Sequence, residues 1–198
     1  MHVLLSNAII KSETSLKINN TITMIKTKTI ISVLLIILFA GITSCKKKEV
    51  EEPVDEIETG IEKGNMAPDF TLMDVNNNNR SLSDYKGKLV VLQFWASWCH
   101  FCKIENPELV ALLNNYNDKG FEILGISLDT KKSNWLDGIE HENLNFVNLS
   151  DLKGFDSPIA NTYAINSIPQ MYLVDEEGVI ILITNKASDV TNKVEQHY

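Results

Sequence analysis

The chain is expected to fold as an α/β domain: a central mixed β-sheet flanked by helices, with a strand extension on its N-terminal side. Three observations carry that expectation. Lys88–Trp95 (KLVVLQFW) is a nearly continuous apolar run, the pattern of a strand covered on both faces, and a helical pattern starts at Cys99. A second buried-strand pattern, Phe121–Leu128 (FEILGISL), follows that helix. The resulting strand–helix–strand unit is expected to be a right-handed crossover between parallel strands. Near the C-terminus, Met171–Val174 and Val179–Ile183 flank Asp175-Glu176-Glu177-Gly178, a turn signal for an antiparallel hairpin.

Composition fits that class. The 198 residues are 44% hydrophobic and 22% charged, too apolar for a disordered chain. The formal net charge is −8, and no clustered Lys/Arg face of the kind that neutralises phosphates is visible, so no nucleic-acid partner is expected. Three cysteines cannot build a disulfide-dense scaffold, and an odd count leaves one with separate work.

Taken in order, the first element is an export signal. Ile30–Ile42 (IISVLLIILFAGI) spans 13 residues, short of the roughly 20 that cross a bilayer, and it fits a signal-peptide core. Met24, Lys26 and Lys28 supply the start and the basic flank, so residues 1–23 read as a misassigned start. The run ends Ile42-Thr43-Ser44-Cys45, which resembles the lipobox of bacterial lipoproteins. That resemblance implies cleavage after residue 44 and lipidation of Cys45. Removing residues 1–44 deepens the net charge to −11. Residues 45–60 (CKKKEVEEPVDEIETG) are too charged to bury a core and read as a flexible tether. The folded domain is expected over 61–198.

Within it, the Asn76–Asn79 run reads as the turn between two short strands. After Lys88–Trp95, the helix from Cys99 carries Leu109, Leu112 and Leu113 at helical spacing, and Gly120 is placed to end it. A helix near Ser133–Glu142 follows the second strand, then a loop-rich segment, the hairpin, and a short helix at Asp189–His197. This order of elements is that of a thioredoxin-like fold.

The sharpest motif is Trp98-Cys99-His100-Phe101-Cys102. Two thiols three residues apart at a helix start can form a disulfide. The first sits where unpaired helix N–H groups favour an anion. A thiolate stabilised there can attack a disulfide at neutral pH, and the second thiol can resolve the mixed disulfide. The alternatives are a purely structural disulfide and half of a zinc site. Zinc takes four ligands, there is no second CxxC, and His100, His141 and His197 are scattered, so neither a metal nor a cofactor is expected. Ile168-Pro169, directly before a strand, would in most proteins be a mere strand start.

In this order, the motifs resemble those of the membrane-tethered thioredoxin-like oxidoreductases of the TlpA/ResA type, overlapping the AhpC/TSA group. Met66–Leu72 (MAPDFTL) is similar to the family's first strand, and Leu82–Lys88 (LSDYKGK) to its lead into the central strand. Phe94–Cys102 (FWASWCHFC) matches the active site, Glu105-Asn106-Pro107 the acid and the helix-kinking proline, and Tyr163–Gly178 the proline strand and hairpin. The resemblance implies that Cys99 attacks and Cys102 resolves. Trp98 shields the disulfide, and Glu105 tunes the thiols or relays a proton. Pro169 follows a cis bond, and Ile168-Pro169 presents backbone to the substrate chain. Departures are the His-Phe dipeptide, Gln93 where the family often has Asn, and Gln170 where it often has Thr. His100 has two readings: a cation that makes the couple more oxidising, or a solvated neutral ring.

The leading functional reading is a lipid-anchored thiol–disulfide oxidoreductase, with the reducing direction favoured, facing the extracytoplasmic side of a bacterial envelope. The resemblance implies disulfide-containing exported proteins as substrates, apocytochrome c among them, and a membrane thiol as electron donor. A peroxiredoxin-like peroxidase is the second reading, but Leu92 and Ala96 stand where that chemistry wants Pro and Thr or Ser before Cys99. A non-catalytic binding lipoprotein is the third, and the intact Cys99, Cys102 and Pro169 argue against it.

Overall fold

The computed structural model describes residues 57–198 of the chain. Met24, the Ile30–Ile42 run, Cys45 and most of the tether lie outside the described residues. The strands are β1 (Thr71–Asp74), β2 (Asn79–Ser81), β3 (Leu89–Trp95), β4 (Phe121–Ser127), β5 (Val147–Ser150), β6 (Gln170–Val174) and β7 (Ile180–Thr184). The α-helices are α1 (His100–Tyr116), α2 (Lys132–His141), α3 (Pro158–Thr162) and α4 (Ala187–His197).

The strands form one mixed sheet in the order β2-β1-β5-β4-β3-β6-β7. β3 and β4 pair in parallel with Leu92 opposite Leu124, and β4 pairs in parallel with β5. The remaining pairs are antiparallel, including β3 with β6 and the β6–β7 hairpin. Every residue of β3 is buried, because helices and flanking segments cover both faces. Gly120, at φ 95°, ends the single turn after α1 in a left-handed conformation and delivers the chain into β4.

The asparagine run makes the β1–β2 turn. Asp74 accepts hydrogen bonds from the backbone N–H groups of Asn76 and Asn78, both at 2.9 Å, and pairs with Arg80 at 3.2 Å. Backbone pairing reaches back before Ile61, since Met66 N–H donates to the Glu58 carbonyl at 2.9 Å.

The segment expected to be loop-rich contains a strand and a short helix. Val147-Asn148-Leu149-Ser150 is short and half polar, so its apolar pattern is weak. It becomes β5 because β4 and β1 lie on either side of it, and its polar side chains bond backbone carbonyls. Asn148 Nδ2 donates to the Leu144 and Phe146 carbonyls, and Ser150 Oγ donates to the Ser127 carbonyl. Pro158 opens α3 at a position where its missing N–H costs nothing. The last helix starts at Ala187, two residues before Asp189, and buries Ala187, Val190 and Val194.

Candidate active site: a disulfide at a helix start

β3 carries the chain to one end of the sheet, where Ala96-Ser97-Trp98 turns it into α1. Cys99 occupies the cap position of that helix with extended backbone angles. Its Sγ accepts a hydrogen bond from the Cys102 backbone N–H at 3.1 Å, filling one of the helix's unpaired donors. Cys99 and Cys102 are joined as a disulfide, with their Cα atoms 5.3 Å apart. Cys99 retains 5% exposure and Cys102 none. Cys99 thus keeps a small accessible surface, and Cys102 has none.

A buried carboxylate anchors the turn before Cys99. Asp129 follows β4 and is 1% exposed. It accepts from Ser97 N–H at 3.0 Å, from Ser97 Oγ at 2.7 Å and from Ser127 Oγ at 2.8 Å. The Cys99 N–H in turn donates to the Ala96 carbonyl at 3.0 Å. These bonds tie the loop to a buried carboxylate, which fixes where Cys99 stands.

The Ile168–Pro169 peptide is cis. The β3–β6 register sets Phe94 opposite Gln170, so Pro169 arrives at the same end of the sheet as the disulfide. The other residues expected at the site have distinct environments. Trp98 is exposed, and its ring lies 6.3 Å from that of Phe155 at 48°. His100 is exposed and meets Phe101 edge-on at 5.6 Å. Glu105 is half-buried and accepts a hydrogen bond from the Ala187 N–H at 2.6 Å. Its carboxylate thus caps the start of α4, where an anion is favoured by the helix dipole.

Sequence reasoning missed Asp129, Ser97, Ser127 and Phe155. A polar Ser-Leu-Asp ending to an apolar strand was the available signal for two of them. It also missed the partner of Gln93. This side chain is fully buried under α1 and donates Nε2–H to Asn106 Oδ1 at 2.7 Å. No group of three or more His, Cys, Asp or Glu side chains among the described residues is arranged to hold a metal ion.

Residues 63–183 match the model of the AhpC/TSA family. The chain is 33% identical over 122 residues to the thiol-disulfide oxidoreductase ResA of Geobacillus thermodenitrificans, covering 62% of this chain and 68% of that protein. It is 33% identical over 150 residues to the thioredoxin-like protein YneN of Bacillus subtilis, covering 74% and 84%. Among solved structures, it resembles the thioredoxin domain of a thiol-disulfide oxidoreductase from Bacteroides vulgatus. The TM-score is 0.66 at 33% identity, over 70% of this chain and 99% of that one.

Proposed function

The chain belongs to the AhpC/TSA family and is a thiol–disulfide oxidoreductase of thioredoxin-like fold. On that premise we propose that it reduces disulfides of exported proteins, with Cys99 as the attacking thiol and Cys102 as the resolving one. The observation that supports the reading is the asymmetry of the pair: Cys99 is reachable and sits on a helix N-terminus, and Cys102 is sealed beneath it.

In the reduced enzyme the Cys99 thiolate attacks one sulfur of the substrate disulfide. A mixed disulfide forms, and the other substrate sulfur leaves with the electron pair and takes a proton. Cys102 then attacks Cys99 Sγ, the substrate's second thiolate departs, and the enzyme disulfide closes. Two electrons have passed from enzyme to substrate, and a membrane thiol donor restores them. The N–H of Cys102 that now faces Cys99 Sγ favours the thiolate, as does the helix dipole. Ile168-Pro169 offers the backbone against which the substrate strand lies, and Trp98 screens the reacting sulfurs. Glu105, one turn beyond Cys102, tunes the thiols or relays a proton.

The same reading places the enzyme on the extracytoplasmic side of a bacterial envelope. Signal cleavage precedes Cys45, lipid on Cys45 holds the membrane, and the charged tether gives the domain reach. Apocytochrome c disulfides are among the substrates that the resemblance to TlpA/ResA-type oxidoreductases implies.

The test compares Cys99→Ala with Cys102→Ala in the full chain, given a disulfide substrate and a reductant. Both variants lose turnover, and only Cys102→Ala accumulates a mixed disulfide. Absence of both turnover and trapped species in the wild-type assay series rejects the assignment. Peroxide consumption that needs Cys99 alone identifies a peroxidase instead. For the anchor, Cys45→Ser releases the protein from membranes; retention there rejects lipidation as the tether.

A further inference from the structure

One helical turn beyond Cys102 lies a pair of buried amides that the exchange reaction leaves idle. Asn106 stands four residues after Cys102 on α1, so the two share a helix face, and both are fully buried. Helical side chains lean toward the N-terminus, which sets the Asn106 amide over the turn that carries Cys102. Opposite it, Gln93 of β3 contributes the one hydrogen bond between them. Gln93 Oε1 and Asn106 Nδ2 have no partner. Two amides joined by a single hydrogen bond always leave one carbonyl and one NH2 group over, whichever way each is turned. Buried and unpartnered, those groups are a standing penalty on the oxidised form.

A disulfide sulfur is a weak acceptor, whereas a thiolate is a strong one. We infer that the Gln93–Asn106 pair positions the resolving thiol: once the disulfide opens, its spare NH2 group donates to Cys102 Sγ and holds it as a thiolate aimed at Cys99. This rests on the reading of Cys102 as the resolving residue. The step concerned is the closing one. Cys102 Sγ bonds to Cys99 Sγ, the bond from Cys99 to the substrate sulfur breaks, and the electron pair leaves with the substrate thiolate, which is protonated by solvent. Pairing in the reduced state and the absence of pairing in the oxidised state act in the same direction. Both raise the reduction potential relative to a site with an apolar pair.

Two measurements on the full chain test this. The first replaces the amides by apolar side chains of similar volume, Gln93→Met with Asn106→Leu. The equilibrium constant for reduction by glutathione is expected to fall about tenfold, which is about 30 mV for a two-electron couple. Resolution of the mixed disulfide slows by a similar factor, and its pH midpoint moves up. A purely structural pair would change the melting temperature and leave the equilibrium and the pH midpoint alone; that result overturns the inference. The second needs no variant: the side-chain NH2 signals of Gln93 and Asn106 are followed by NMR as dithiothreitol reduces the wild type. A shift on reduction that titrates with Cys102 is expected, and signals indifferent to reduction contradict it. A wild type that exchanges with no substrate rejects the assigned function instead, and the amide signals still decide the hydrogen bond.

Discussion

On the Cys99 side of the dithiol, the Asp129 carboxylate is filled by three donors, two from Ser97 and one from Ser127. On the Cys102 side, Gln93 and Asn106 share one bond and leave a carbonyl and an NH2 group empty. Both clusters centre on buried side chains, and both lie where the sheet hands the chain to α1. The difference separates two tasks. A network with every partner in place holds one geometry, and here it holds the turn that seats the attacking thiol. A pair with bonds left to make has capacity for a charge that exists only during the reaction.

Breaking the filled cluster gives the largest expected effect on stability. Asp129→Ala strands the Ser97 N–H and hydroxyl and the buried Ser127 hydroxyl, and unfolding in urea is expected to show a loss of about 2 kcal/mol. Exchange activity falls with it, because the turn before Cys99 loses its anchor. A loss below about 1 kcal/mol with unchanged activity would mean that the turn is held by other contacts.

The emptied pair responds with the opposite sign. Replacing both amides by apolar groups of similar shape removes two unmet polar atoms, so Gln93→Met with Asn106→Leu is expected to leave the oxidised protein as stable or up to about 1 kcal/mol more stable. Destabilisation like that of Asp129→Ala would show that the two clusters do the same work.

The smallest effect belongs to a third, filled carboxylate far from the dithiol. The backbone N–H of Asn78, with further bonds from its side chain, Asn76 and Arg80, holds Asp74 below its ordinary value of 3.8 against the opposing effect of burial. A group lowered on folding stabilises the fold fully above its unfolded value. That contribution is lost as pH falls from about 3.8 through the folded value. Asp74→Asn is therefore expected to flatten the acid arm of stability against pH and to leave disulfide exchange unchanged. An acid arm identical to that of the wild type would remove Asp74 from the account.

The parts of this arrangement legible in the sequence are those encoded by local pattern. The apolar run of β3 and the helix start at Cys99 follow from neighbouring residues, and the β6–β7 hairpin follows from its Asp-Glu-Glu-Gly turn. β5 was not legible, because it is short and half polar, and Ser150 finds its acceptor only in the Ser127 carbonyl that the folded sheet brings to it. The two polar clusters were hidden for the same reason. Asp129 meets Ser97 across 32 residues, and Gln93 meets Asn106 across a strand–helix boundary. Glu105 was legible as a residue near the dithiol, but its bond to Ala187 needs the packing of α4 against α1.

Thermal unfolding of the oxidised and reduced forms, wild type beside Gln93→Met with Asn106→Leu, tests the contrast most directly. The disulfide's own contribution is common to both proteins and cancels in the comparison. The substitutions are expected to leave or raise the melting temperature of the oxidised form and to lower that of the reduced form. Equal shifts in the two forms would contradict the claim that the pair gains its missing partner when the disulfide opens.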